Sequence, residues 1–192
     1  MPRYIPGILV LLFLSPSAHA QDQPKIEIFG GFSYANINAG EHRVNTKGWH
    51  FMIAVNSRMS WLEFAADVSG HYGKLAGSST ATYIAMAGPR LTLRRGRMTG
   101  FVHSLYGVSF GHPSSIPLDE FDDRPQRLWF TFVPGGGGLD IELNRRVAVR
   151  LFQVDLIFPS RTPEYLQPLP QTGYASFQVR FSTGIVLRFG KV

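Results

Sequence analysis

The last stretch of the chain, "QVRFSTGIVLRFGKV" (178–192), alternates between two kinds of side chain. Every second residue belongs to one set, which we call a parity of the strand. The odd-numbered parity is mainly apolar and consists of Val179, Phe181, Thr183, Ile185, Leu187 and Phe189. The other is mainly polar or small and consists of Gln178, Arg180, Ser182, Gly184, Val186 and Arg188. Because successive side chains of a β-strand point to opposite faces, this stretch predicts a strand with one apolar and one polar face. The remainder of the sequence decides which face meets the surrounding medium.

The first 20 residues have the features of a secretory signal peptide. Arg3 precedes an apolar run from Ile8 to Leu14, and the segment ends in Ala18-His19-Ala20, an A-x-A cleavage signature. The run is too short to cross a bilayer as a helix. We therefore expect 1–20 to be removed on export and 21–192 to form a single domain.

Composition limits the functions that this chain can serve. It contains no cysteine, which excludes disulfides and thiolate metal sites. The formal net charge is +6, but the basic residues are scattered and an exported protein does not meet genomic DNA, so nucleic acid is not an expected partner. Charged residues make up 17%, against roughly 25% in ordinary soluble proteins, so the surface is expected to be poor in charge.

Eight strand-like runs follow one another with no amphipathic helix between them. They span 25–36, 46–56, 60–73, 80–93, 98–111, 128–142, 146–158 and 173–189. Each is long enough to cross a membrane as a tilted strand, which takes about nine to eleven residues.

The connections between the runs alternate in length. Three are short, 56–60, 94–97 and 143–146, and four are long, 37–46, 74–80, 111–127 and 159–172. In an up-and-down antiparallel sheet, every second connection lies at the same end, so all short turns share one end with the termini. The sequence therefore predicts an all-β protein, an eight-stranded antiparallel up-and-down transmembrane β-barrel.

The apolar parities end in aromatic residues on the long-loop side. Five of these, from five different runs, are predicted to lie at one height: Tyr34, Trp49, Tyr72, Tyr83 and Trp129. Phe189 is expected at the opposite interface, so the six would form an interfacial aromatic girdle. A soluble calyx would turn its polar parity outward and be rich in Lys and Glu there. That parity holds mostly small residues and single charges, so we expect the apolar face to meet lipid.

The polar parities predict a charged interior. The acidic members are Glu63, Asp67, Asp140 and Asp155, and the basic members are Arg90, Arg180 and Arg188. An eight-stranded barrel is just wide enough to be filled by side chains, and buried charges have to pair or hydrogen-bond. We expect Arg90 and Arg188 each to pair with at least one of the four carboxylates, in a structural plug without a continuous pore.

Several residues do not fit the alternation. Arg150 falls on the lipid-facing parity of "VAVRLFQVDL" (147–156), where it would either reach the headgroups or be turned inward by a β-bulge. Pro89 and Pro134 lie inside predicted strands, where a missing N–H is costly. Trp61 has interior parity but borders a turn. The parity of "FVHSLYGVSF" (101–110) is ambiguous.

With these features the chain resembles the small outer-membrane β-barrels, in particular the transmembrane domain of outer-membrane protein A and the opacity-protein-like barrels. "IFGGFSYANI" (28–37) is similar to their first strand, and "AGPRLTL" (87–93), "GGGLDIEL" (136–143) and "VRLFQVDL" (149–156) are similar to middle strands. One departure is that Gly190-Lys191-Val192 follow Phe189, whereas assembly signals in the family commonly end on the final aromatic.

The resemblance implies a location and a set of partners. The location is the outer membrane, reached through the cleaved signal peptide. The partners are outer-membrane lipids and lipopolysaccharide, with periplasmic chaperones and the barrel-assembly machinery during biogenesis. The protein is expected to be a monomer.

Two Ser–His combinations could suggest catalysis. "DVSGH" places Asp67, Ser69 and His71 on one face of a strand, but a Ser–His–Asp triad needs His between the other two. His103 and Ser104 are adjacent, so a strand would point them to opposite sides. Interior packing explains both better than catalysis does.

Two further motifs could suggest ligand binding. "PGGGGLD" (134–140) lacks the Lys-Ser/Thr of a phosphate loop, and glycine in a strand more often marks a bend or a close approach. "DEFDD" (119–123) lacks the spacing of a calcium hand. The sequence therefore predicts no catalytic, cofactor or metal site.

The predicted function is non-enzymatic, a structural or surface-interaction role with recognition carried by long extracellular loops, above all 111–127 and 159–172. Two alternatives stay open. One is an outer-membrane enzyme that acts on lipid A or phospholipid as a hydrolase or acyltransferase, which would need a polar triad at the outer rim. The other is a soluble periplasmic binder of the lipocalin type.

Overall fold

The computed structural model describes residues 24–39, 42–57, 59–75, 78–113, 127–160 and 178–190. The description covers the backbone alone at 37–39, 42–44, 75, 78–80, 111–113, 127–129 and 159–160. The strands are β1 (Ile26–Ala39), β2 (His42–Asn56), β3 (Leu62–Leu75), β4 (Ser78–Arg95), β5 (Met98–Pro113), β6 (Arg127–Asn144), β7 (Val147–Ser160) and β8 (Gln178–Phe189). The predicted signal peptide and the acidic motif at 119–123 lie outside these ranges.

The eight strands form one closed antiparallel barrel in which each strand pairs with the next along the chain. β1 pairs with β8 from Ile26↔Phe189 to Asn36↔Val179, which closes the sheet. The predicted all-β, eight-stranded up-and-down architecture is confirmed. Among the described residues there is no helix of the length and apolarity needed to cross a bilayer.

Two of the four predicted long loops, 37–46 and 74–80, are wrong. Each interval is mostly strand, because the hairpins continue to the ladder pairs Ala39↔His42 and Leu75↔Ser78. Polar side chains support this extension beyond the apolar part of the sheet: Asn36 Nδ2 donates to Asn45 Oδ1 at 2.7 Å. The other two predicted loops, 111–127 and 159–172, fall mainly outside the described residues.

The outward face of the barrel is an apolar band. Its most exposed members, each with at least 50% of its surface open, include Phe32, Phe64, Leu93, Val102, Tyr106 and Ile185. The six Asp and Glu residues of the described ranges all have interior parity. An apolar surface this large is expected of a barrel that lipid surrounds, because water-soluble proteins rarely expose one.

The interior contains buried apolar side chains beside its charges. They are Phe29, Met52, Ala54, Ala65, Ile84, Met86, Leu105, Val133, Ala148, Ile157 and Val186. None is more than 4% exposed. These side chains fill much of the barrel, as eight strands enclose only enough space for the side chains themselves.

A bulge in β7 turns Arg150 into the barrel. The register of β7 against β8 shifts between Arg150 and Gln153, and the two residues between them, Leu151 and Phe152, are both exposed on the outside. Two outward residues in succession reverse the parity of the strand beyond them. Arg150 is therefore completely buried. Of the two predicted positions of the Arg150 side chain, the inward one at a bulge is correct and the lipid-facing one is wrong.

A second bulge accommodates the proline of β6. Pro134 and Gly135 are both exposed, and the pairing of β6 shifts register near them on both sides. Pro89 also faces outward, at a gap in the ladder between β4 and β5. Each proline thus lies where strand pairing is already interrupted. β5 itself alternates without interruption, with Phe101, His103, Leu105 and Ser109 buried.

Candidate functional site

Arg180 of β8 is the centre of a buried ion cluster. We name this group the loop-side cluster: His50, Asp67, His103, Asp155 and Arg180. The Arg180 guanidinium makes two bonds to Asp67, from Nη1 to Oδ1 at 2.9 Å and from Nη2 to Oδ2 at 2.8 Å. Its Nε donates to Asp155 Oδ2 at 2.8 Å, and Nη1 also donates to Ser69 Oγ at 2.8 Å. One planar guanidinium therefore holds two buried carboxylates.

A line of hydrogen bonds leads from this cluster across the barrel. His50 contacts Asp67 through Nε2, and its Nδ1 lies 2.9 Å from Ser182 Oγ. Ser182 Oγ donates to Ser33 Oγ at 3.1 Å, and Ser33 Oγ lies 2.9 Å from His71 Nε2. All five residues are buried, although they come from four different strands. The tilt of barrel strands brings together residues that are far apart in the sequence.

A second ion cluster lies toward the short turns. We name it the turn-side cluster: Glu27, Glu63, Arg90, Arg94, Asp140, Arg150 and Arg188. Glu27 is its shared acceptor, because Arg188 Nε and Arg94 Nη2 each donate to Glu27 Oε1 at 3.0 Å. Arg90 Nη1 lies 3.1 Å from Glu27 Oε2. Arg94 and Arg90 also reach Glu63, at 2.7 and 3.4 Å. Three guanidinium groups thus share two carboxylates.

Arg150 connects the two clusters. Its Nε and Nη2 donate to the two oxygens of Asp140 at 2.8 and 3.1 Å, and Nη1 donates to Gln153 Oε1 at 2.6 Å. Gln153 Nε2 in turn donates to Asp155 Oδ2 of the loop-side cluster at 2.9 Å. The Arg150 guanidinium also lies 4.3 Å from the centroid of the Phe101 ring, a cation–π contact. The bulge in β7 therefore supplies the link between the clusters.

Opposite charges are matched within the described interior. Its carboxylates, at most 3% exposed, are Glu27, Glu63, Asp67, Asp140 and Asp155, and its arginines, at most 10% exposed, are Arg90, Arg94, Arg150, Arg180 and Arg188. Each carboxylate lies within 3.6 Å of at least one arginine. Buried ions need partners, and each of these carboxylates has an arginine of the set beside it.

The glycine run of β6 makes room for these side chains. A Cβ on Gly136 would lie 2.3 Å from Asp155 Oδ1 and 2.4 Å from His103 Nε2, two atoms that are themselves hydrogen-bonded at 2.8 Å. A Cβ on Gly138 would lie 2.7 Å from the Phe101 ring. The "PGGGGLD" motif therefore corresponds to close approach of interior side chains to the backbone, as glycine in a strand usually does.

The structure places the sequence-predicted interior residues inside the barrel. They are Glu63, Asp67, Arg90, Asp140, Asp155, Arg180 and Arg188, each at most 5% exposed. Arg90 reaches Glu63 and Asp140, as expected. Arg188 pairs instead with Glu27 and with Glu142, whose Oε2 lies 3.1 Å from its Nη1. The expected partner of Arg188 is therefore wrong, because Glu27 lies directly opposite it in the ladder that closes the barrel.

Sequence reasoning missed several members of the network. They are Glu27, His50, Arg94, His103 and Gln153. Glu27 and His50 do have interior parity on their strands, so that signal was available. Arg94 was assigned to a turn although β4 continues through Arg95. Gln153 lies beside the β7 bulge, which the sequence does not place.

The motifs that suggested catalysis do not assemble as triads. Ser69 accepts a hydrogen bond from Arg180, and His71 contacts Ser33 instead of Ser69. Ser104 lies on the outer side of its strand, where its Oγ donates to the backbone oxygen of Val133 at 3.2 Å. Across the described ranges, no three His, Asp or Glu residues converge in a way that could hold a metal ion.

Comparison with known proteins supports the fold. No protein-family model and no curated protein matches the sequence. Among solved structures, Neisserial surface protein A matches with a TM-score of 0.65 at 10% identity, over 86% of this chain and 97% of that one. The outer membrane protein OprG from Pseudomonas aeruginosa matches with a TM-score of 0.54 at 8% identity, over 88% and 97%. Ail, the attachment invasion locus protein of Yersinia pestis, matches with a TM-score of 0.51 at 10% identity, over 87% and 99%. This chain has the fold of the small eight-stranded outer-membrane β-barrels.

In such an outer-membrane barrel fold, exposed aromatic residues mark the interfaces. Trp49, Tyr72 and Tyr83 lie together on the outer surface near the loop end. Trp49 Nε1 donates to Tyr72 Oη at 3.4 Å, and Tyr72 Oη lies 3.3 Å from Tyr83 Oη. Amphipathic rings of this kind suit a boundary between hydrocarbon and headgroups.

The other predicted girdle residues lie on β1, β6 and β8. Tyr34 is partly exposed on β1, and Phe189 is exposed at the turn end of β8. Trp61, whose placement the sequence left open, is also exposed at the turn end, just before β3. The side chain of Trp129 lies outside the described residues.

Proposed function

We propose that this is an exported, non-enzymatic outer-membrane protein with a structural or surface-interaction role. The proposal rests on two features of the barrel, its outer face and its interior, taken together. The outer face of the barrel is apolar, and the interior is occupied by a self-matched ion network. A barrel built in this way is stabilised in lipid, and paired charged side chains occupy its described interior, so we assign recognition to its ends.

The apolar exterior favours a membrane barrel over a soluble lipocalin-like binder. A lipocalin encloses its ligand in a barrel whose apolar side chains point inward. Here many large apolar side chains lie on the outer face, whereas the charged side chains of Arg150, Arg180 and Asp155 occupy the interior and are completely buried.

An enzyme that acts on lipid A or phospholipid is the second candidate. Ser182, His50 and Asp67 do form a line with His in the middle, the order that a catalytic triad needs. However, all three residues are buried inside the barrel, and Ser182 Oγ is bonded to Ser33 as well. An acyl ester could reach Ser182 only if the network opened, so this line supports the structural role better.

The proposed recognition elements are the segments that connect the strands at the loop end. Neisserial surface protein A is by its name a surface protein, and Ail is an attachment invasion locus protein. By analogy with these folds, the predicted loops 111–127 and 159–172 would carry contacts with a surface partner. The remaining proposed partners are lipopolysaccharide and other outer-membrane lipids, and the chaperones and assembly machinery that deliver the barrel. We propose that the protein is a monomer.

Electrical recording tests the proposed role against that of a pore. We expect the purified protein to give no steady conductance in a planar bilayer, because paired side chains occupy the interior. A general porin reconstituted in the same lipid provides the positive control for insertion. Steady channel openings by the wild-type protein would contradict the structural or surface-interaction role and favour a role in transport.

A further inference from the structure

Four arginines lie on two neighbouring turns at the end of the barrel that has the short turns. Arg95 is the last residue of β4 and Arg97 lies in the turn between β4 and β5, on either side of Gly96. Arg145 and Arg146 form the turn between β6 and β7. All four are exposed. We name them the arginine patch. Gly96 has φ = 59°, a left-handed conformation that lets this turn close between two arginines.

The two turns are bonded to each other, so the patch has a fixed base. The backbone N–H of Glu142 donates to the Arg97 carbonyl at 2.7 Å. In return, the Arg97 guanidinium donates to the carbonyls of Glu142 at 3.2 Å and Leu143 at 3.1 Å. Asn144 Oδ1 braces the second turn by accepting from the N–H of Arg146 at 2.8 Å. The other three guanidinium groups therefore extend from a rigid pair of turns.

The residues that the structure describes do not neutralise the positive charge of the patch. Arg95, Arg145 and Arg146 form no ion pair with any residue in the described ranges. The described carboxylates all have interior parity, and the one nearest this end, Glu142, pairs with Arg188. These exposed guanidinium groups are therefore free of described carboxylates and open to an external anion.

The patch borders the apolar band. Leu93, Met98 and Leu143, each 49–54% exposed, lie beside the two turns. Leu93 and Arg95 share the outward parity of β4, so the first arginine stands one step beyond the last large apolar residue. In a barrel that spans a bilayer, this is the level of the lipid phosphates.

We propose that the arginine patch binds the headgroups of anionic phospholipids, of the phosphatidylglycerol class, in the leaflet on the turn side. The inference rests on the proposed membrane location. Guanidinium groups bind phosphate oxygens through two parallel hydrogen bonds, and clustered basic residues beside a bilayer attract anionic lipid. Such binding fixes the depth of the barrel and enriches anionic lipid around its short turns.

Native mass spectrometry of the full mature chain, refolded in detergent, tests the proposal. The protein is offered equimolar dilauroyl phosphatidylglycerol and dilauroyl phosphatidylcholine, and the ratio of the two bound lipids is measured. We expect the wild type to prefer phosphatidylglycerol. The variant Arg145→Gln/Arg146→Gln should lose this preference by roughly five-fold for each arginine removed.

The variant Lys47→Gln/Lys74→Gln is the matched control. It also removes two exposed positive charges, but from β2 and β3 at the loop end, so we expect it to keep the wild-type ratio. If the arginine double variant does not fold, Arg95→Gln replaces it. Arg97 is left unchanged because its guanidinium joins the two turns.

Three results would overturn the inference. They are equal binding of the two lipids by the wild type, an equal loss in the lysine and arginine variants, and patch-dependent binding to purified peptidoglycan without lipid preference. Gel mobility that changes on heating serves as the separate check on folding. A wild type that gives no such folded species in detergent would count against the membrane barrel itself, whereas a folded barrel without lipid preference would count against the patch alone.

Discussion

Replacing Arg180 by leucine is expected to lower the free energy of unfolding by about 3–5 kcal/mol. The reason is that Arg180 holds both Asp67 and Asp155, and the change leaves two completely buried carboxylates without their guanidinium partner. Urea unfolding of the refolded barrel in detergent, followed by tryptophan fluorescence, measures the effect.

Arg95→Leu is the matched control, because it makes the same chemical change at an exposed arginine outside any ion pair with described residues. Its effect should stay within about 0.5 kcal/mol. Adding Asp67→Asn and Asp155→Asn to Arg180→Leu removes the stranded charges and should recover part of the loss. Equal stability of the Arg180 and Arg95 variants would show that the buried network contributes nothing to stability.

Replacing Ile185 by arginine is expected to cost about 2–4 kcal/mol, the penalty for a lipid-facing cation near the bilayer midplane. Ile185 is 54% exposed on the outside of β8 and pairs with Gly30 of β1 and Val149 of β7. No carboxylate lies on the outer face of the described strands to receive the new charge. Folding titrations in lipid vesicles measure this cost.

Phe189→Arg, at the turn end of the same strand, is the comparison. It should cost only about 0–1 kcal/mol, because a cation there reaches the interface. Similar costs at 185 and 189 would contradict the assignment of Ile185 to the middle of the hydrocarbon layer.

The architecture could be predicted from the sequence because side-chain alternation has a period of two along every strand. The pattern of "QVRFSTGIVLRF" places Phe181 and Ile185 outside and Arg180 and Arg188 inside, as the structure does. Alternation fails only where a strand carries an extra residue. Alternation alone puts Arg150 on the lipid-facing side, and the sequence could offer an inward position at a bulge only as an alternative, because the pattern does not locate the bulge at Leu151 and Phe152.

The network itself could be predicted only in part, because parity assigns a face but not a partner. Barrel closure sets Glu27 opposite Arg188, and the tilt of the strands brings Arg180 to Asp67 across 113 positions of sequence. The line from Asp67 through His50 to Ser182 arises in the same way. None of these contacts follows from spacing along one strand. The local Ser–His combinations, "DVSGH" and His103-Ser104, therefore did not predict the contacts of the interior.

The location of the folded protein decides whether this chain is an outer-membrane barrel. Cells that produce the chain are fractionated, and the outer-membrane fraction is run on a gel with and without prior heating. We expect a mature protein that begins at Gln21, is found in the outer membrane, and migrates differently after heating because a closed barrel resists detergent unfolding. Recovery of the protein as a soluble periplasmic monomer, with the same mobility before and after heating, would contradict it.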